Sequence, residues 1–153
     1  MSSTARPLPA EGSLRSLAIG AFRRIPYALV ALTGRLALAQ VFWSSAQTHL
    51  ASWQTTLYLF ANEYHVPLLP PTLAAYMAVT LEVAMPPLLV LGLATRFAAL
   101  ALLGMTLVIE VFVYPLAWPT HIQWAAMLLV LMSQGAGALS LDALIARWIG
   151  GRG

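Results

Sequence analysis

Cysteine and lysine are both missing from this chain, and charge of either sign is scarce. Without cysteine the chain carries no disulfide, no thiolate metal site and no dithiol chemistry of its own. Without lysine, all fixed positive charge sits on arginine. Charged residues make up 8% of 153 positions against 60% hydrophobic ones. The mean hydropathy is +0.80. Too few polar side chains remain to cover a water-exposed surface, so the bilayer is the natural solvent. No phosphate loop, nucleophile elbow, haem motif or nucleic-acid motif is present, and no partnership with nucleic acid is expected from the basic pI near 9.8. The arginines lie at the ends of apolar segments rather than in a patch.

Apolar stretches of about 20 residues predict an all-α integral membrane four-helix bundle. The spans are read at about 27–50, 72–91, 97–114 and 120–137, within a membrane domain of residues 26–139. Residues 1–25 read as a polar tail and an amphipathic interfacial helix (GSLRSLAIGAFRRIP), retained because no convincing cleavage site follows the basic residues. ASWQTTLYLFANEYHVPLLPP reads as a short surface helix between the first two spans. Residues 140–153 read as a C-terminal amphipathic helix that Ser140 caps. Pro86-Pro87 should bend the second span, and Pro115 to Pro119 should turn the chain between the third and fourth.

Arginine sets the expected topology. Arg6, Arg15, Arg23 and Arg24 precede the first span, Arg96 lies between the second and third, and Arg147 and Arg152 follow the fourth. The other two loops have neither arginine nor lysine. Four spans place all seven on one side, which predicts both termini in the cytoplasm.

Three ionisable groups fall inside the spans. Each costs roughly 2.5–3.5 kcal/mol at a helix centre on insertion scales, so each needs a partner. Arg35 and Glu82 have compatible depths and are expected to pair. That pair reads equally as a structural ion pair or as a proton- or substrate-handling one, and Arg35 alone could snorkel to the interface. Glu110 lies near the outer end of the third span, with Thr106 and Tyr114 four residues to either side. His121 opens the fourth span, and Gln47 and His49 close the first. These groups are expected to converge on an outward-facing polar pocket walled by Trp43, Phe112, Trp118 and Trp124. Such a pocket suits a molecule with an apolar ring and polar edges, such as a quinone, with Glu110, His121, Tyr114, Gln47 and Trp118 as contacts. Bland readings stand beside it: the tryptophans as an interfacial belt, Glu110 reaching water, His121 capping a helix. A second functional reading gives His49, Glu110 and His121 a metal ion, with Met105 as a softer neighbour.

Over roughly Gly34 to Trp148 the chain resembles the DoxX family of small four-helix membrane proteins. The resemblance rests on GRLALAQVFWSSAQTHL, on LEVAMPPLLVLGLATRFAALALLGMTLV and on LSLDALIARW. The stretch IEVFVYPLAWPTHIQW is similar to a subgroup found in bufferin-type gene clusters. One branch of the family supplies the membrane subunit of a thiosulfate:quinone oxidoreductase, and others act in redox homeostasis beside partner enzymes. The resemblance therefore implies a multi-pass protein of the bacterial cytoplasmic membrane, a redox-associated subunit binding a quinone at the outer leaflet. Thiosulfate itself is disfavoured, because the outer loops lack arginine and lysine for a dianion. The alternative is a non-enzymatic accessory or metal-handling partner of a peptide-modification or export system. Catalysis, the electron donor and self-association are left open at this point.

Overall fold

The computed structural model describes residues 25–64 and 66–150. The expected N-terminal tail and interfacial helix, and His65, lie outside the described residues. Every regular element among them is helical: α1 (Tyr27–Ala51), α2 (Trp53–Asn62), α3 (Pro71–Leu91), α4 (Thr95–Val108), α5 (Trp118–Gln134) and α6 (Leu141–Gly150).

The long helices each bury one stripe and expose mainly apolar residues elsewhere. In α1 the buried positions are Ala31, Arg35, Leu38, Ala39, Phe42 and Ala46, spaced three and four apart. Leu29, Val30, Leu36 and Trp43 on other faces are exposed. A helix that is apolar on all sides suits lipid outside and protein inside. Small residues let the backbones approach: Ala75, Ala98 and Ala99 have no exposed surface. Leu38, Leu89, Leu102 and Leu128 fill the core between the helices. α1 packs mainly on α3 and α4 mainly on α5, with α3 against α4 and α1 against α5 completing the contacts. Cross-helix bonds run antiparallel within both main pairs. Arg35 reaches Leu89 and Val90 while Ser45 reaches Glu82; Arg96 reaches Ser133 while His121 reaches Glu110.

Among the described residues three helices are long and apolar enough to cross a membrane: Tyr27–Ala51, Pro71–Leu91 and Thr95–Val113. α5 has 17 residues, about 26 Å at 1.5 Å per residue. The expected extension to residue 137 does not form. Gly135 and Gly137 have φ of 82° and 76°, outside the helical region. A Cβ on Gly137 would lie 3.1 Å from Ala28 Cα, so this loop hugs the start of α1. Tyr27 Oη donates to Gly135 O at 2.7 Å across the same junction.

Arg35 and Glu82, expected as an ion pair, are not bonded to each other. The Arg35 guanidinium donates to the carbonyls of Leu89, Val90 and Leu139. The last carbonyls of a helix have no intrahelical partner, and a planar five-donor group can satisfy several at once. Gly92 makes room for it: its φ of 66° ends α3, and a Cβ there would overlap both the guanidinium and Ser140. Asp142, in the first turn of α6, caps another helix. Its Oδ1 and Oδ2 accept from the N–H groups of Ala94 and Thr95 at 2.8 and 3.0 Å, at the start of α4.

The third span is not α-helical throughout. Ile109–Val113 form a π turn, closed by Tyr114 N–H donating to Ile109 O at 2.8 Å, and Pro115–Ala117 form a 3-10 turn. The four-residue spacing of Thr106, Glu110 and Tyr114 therefore loses its meaning as a common face. The wider turn carries Glu110, as π turns inside helices often carry site residues.

Candidate functional site

Two imidazole–carboxyl pairs sit in the half of the molecule that carries α2. His49, in the last turn of α1, places Nδ1 2.7 Å from Glu82 Oε2. Ser45 Oγ, one turn earlier on α1, donates to Glu82 Oε1 at 2.8 Å. Glu82 is thus held from two points and is almost fully buried. The second pair joins the π turn to the start of α5: His121 Nδ1 lies 2.6 Å from Glu110 Oε2. Both members are largely buried. At such distances each pair holds one proton between nitrogen and oxygen, and exchange of that proton is short-range.

Among the described residues no protein group bonds Nε2 of either histidine. Neither Nε2 is a sealed atom without a partner. Both therefore meet open space, and both histidines line the same cavity of about 600 Å³. That volume falls within the range of small-molecule sites. The rest of the wall is mainly apolar: Leu81, Ala101, Met105, Ile109 and Trp124 among others. Trp124 stacks at a tilt on His121, ring centres 5.0 Å apart, and meets Phe42 edge-on behind it. Phe60 of α2 sits edge-on to His49 at 6.1 Å.

A phenol pair borders the same cavity. Tyr64 and Tyr114 share a hydroxyl–hydroxyl hydrogen bond of 2.9 Å. It ties the segment after α2 to the end of the π turn. Burial, reinforced by the Tyr114 hydroxyl, pushes the Tyr64 phenol well above the usual tyrosine range.

Of the five expected quinone contacts, His121 and Tyr114 line this cavity, and Glu110 stands behind His121 as its bonded partner rather than in the wall. Gln47 and Trp118 do not line it; both are exposed. Trp43 and Phe112 are also exposed and belong to the lipid-facing surface rather than the wall. The proposed metal set of His49, Glu110 and His121 is not assembled, because each histidine pairs with a different carboxyl. No group of three metal-type ligands forms among the described residues.

The sequence reading missed the His49–Glu82 pair and the roles of Ser45, Phe60 and Tyr64. One signal was present. Ser45 and His49 are four residues apart on one helix and so share a face, and a mid-membrane glutamate needs a donor. Charge alone favoured arginine, which the carbonyls at the far end of α3 had already engaged.

No curated protein and no solved structure matches the chain. The DoxX family profile does match, over residues 30–115, which runs from the start of α1 past the π turn and spans more than half of the sequence. The matched segment contributes Ser45, His49, Glu82, Glu110 and Tyr114 to the cavity and its two pairs, while His121 and Trp124 lie beyond it. By this match, and in keeping with its apolar membrane-length helices, the chain belongs to the DoxX family.

Proposed function

We propose that this DoxX protein is a four-span subunit of the bacterial cytoplasmic membrane that holds a quinone in the cavity between its helices, beside a partner redox enzyme. The fourth span is α5, whose shortness a locally thinned bilayer accommodates at modest cost. The arginine distribution favours both termini in the cytoplasm, which puts the cavity in the outer leaflet. The observation that carries the reading is the pair of histidines, each backed by a carboxyl at Nδ1 and unbonded at Nε2, lining one mainly apolar cavity.

The chemistry of the wall fits such a ligand. An apolar ring gains from leaving water for Leu81, Met105 and Trp124. Each Nε2 offers one hydrogen bond to a ring oxygen, as donor or acceptor according to tautomer. A bound quinone supplies two-electron, two-proton redox chemistry. A proton taken up at Nε2 of His121 is matched by release from Nδ1 to Glu110 Oε2, so the pair passes charge without moving heavy atoms. His49 and Glu82 can do the same.

The test is gentle purification followed by solvent extraction, with bound quinone and bound metal assayed on the same sample. Quinone present in the wild type and lost in His121→Ala and Glu110→Gln supports the reading. Stoichiometric metal without quinone points to the metal-handling accessory instead. Neither ligand, in protein that remains folded, overturns both.

A further inference from the structure

The two pairs are carried by different helices around the cavity. One belongs to α1 and α3, the other to the π turn and α5. They share a single cavity, yet no three of their four groups approach closely enough to serve one metal ion. The two halves are also alike in construction: Nδ1 faces a carboxyl, and Nε2 is left to the cavity. A ligand with one polar end would engage one Nε2 and leave the other without a bond from the ligand, which is costly in a dry site.

We infer that the cavity binds a two-ended ligand, a flat apolar ring with a hydrogen-bonding oxygen on each of two opposite edges, one oxygen accepting from Nε2–H of His49 and the other from Nε2–H of His121. This rests on the quinone reading and sharpens it, because it assigns both carbonyls and makes His49 a contact equal to His121. It also selects against ring ketones with a single oxygen.

Menadione and α-tetralone, two-ring compounds with two carbonyls and one carbonyl, provide the probes. Binding is measured by equilibrium dialysis with the full chain in lipid nanodiscs. Each pair is removed as a unit, as His49→Phe with Glu82→Leu, and as His121→Phe with Glu110→Leu. Replacing both partners avoids leaving a buried carboxyl alone. Each double variant should weaken menadione about tenfold, the loss of roughly one hydrogen bond to a polar site. Against α-tetralone, one of the two should have no effect. If either folds poorly, His49→Gln and His121→Gln carry the same comparison. Menadione binding that is insensitive to one of the pairs overturns the two-ended assignment while leaving a quinone site standing. So do equal losses for both probes in both variants. A wild-type protein that binds neither probe overturns the quinone reading itself.

Discussion

Glu82, midway along α3, is bonded to His49 at 2.7 Å, and Arg35, buried near the C-terminal end of α3, is bonded to three backbone carbonyls instead. The two most buried charges among the described residues thus act at different points along the same helix. Arg35 closes the Gly92 turn, and Glu82 belongs to the cavity.

This separation has an energetic consequence. Arg35→Leu strands the carbonyls of Leu89, Val90 and Leu139 and should cost on the order of 3 kcal/mol. Glu82→Gln should cost less, since Ser45 and His49 can still bond an amide. The double variant should be additive to within about 0.5 kcal/mol, as expected for sites without shared partners. SDS unfolding of the four proteins measures this; a large coupling energy would restore the direct ion pair.

The tyrosine pair predicts an alkaline signature. Tyr64 has its phenol pKa raised by burial and by Tyr114. The neutral form is therefore favoured by folding. The stabilisation is complete below the free tyrosine value of about 10 and is lost as pH rises through the higher folded value. Ultraviolet titration of wild type against Tyr64→Phe should show the missing residue to be one that ionises later than a free tyrosine. A difference spectrum with an ordinary midpoint contradicts the buried pair.

Gly104 lines the cavity, and a side chain added there meets nothing within 4 Å. It is exposed on α4, beside Leu100 and Val108, which are exposed as well. On the proposed quinone reading, this glycine marks the side from which an apolar ligand would enter. Gly104→Ala should raise stability by about 0.5–1 kcal/mol through helix propensity. Gly104→Leu should keep the fold and slow the uptake of menadione into nanodisc-embedded protein, followed by stopped-flow quenching of tryptophan fluorescence. Unchanged uptake would place the entrance elsewhere.

Topology can be tested directly because the chain has no native cysteine. Leu116→Cys lies between the π turn and α5, and Leu139→Cys between α5 and α6. Both positions are exposed. In intact cells a membrane-impermeant maleimide should label residue 116 and spare 139 until the membrane is opened. The reverse pattern would invert the orientation and move the cavity to the inner leaflet.

Much of this molecule was legible in the sequence by itself. Scarce charge and long apolar runs dictated membrane helices, since few other structures can satisfy a backbone in lipid. Arginine placement gave a topology to test, and the need to partner buried ionisable groups singled out Arg35, Glu82, Glu110 and His121. Partner choice was a tertiary matter. Arg35 was drawn to the unpaired carbonyls at a helix end, which no residue pattern displays. His49 met Glu82 only because α1 and α3 run antiparallel with Ser45 and His49 turned inward. Gln47, two residues from His49, points elsewhere for the same reason: a helix rotates about 100° per residue, so neighbours in sequence face different surroundings. The π turn shifted that rotation again, which is why a spacing argument across Thr106, Glu110 and Tyr114 could name the right residues without the right geometry.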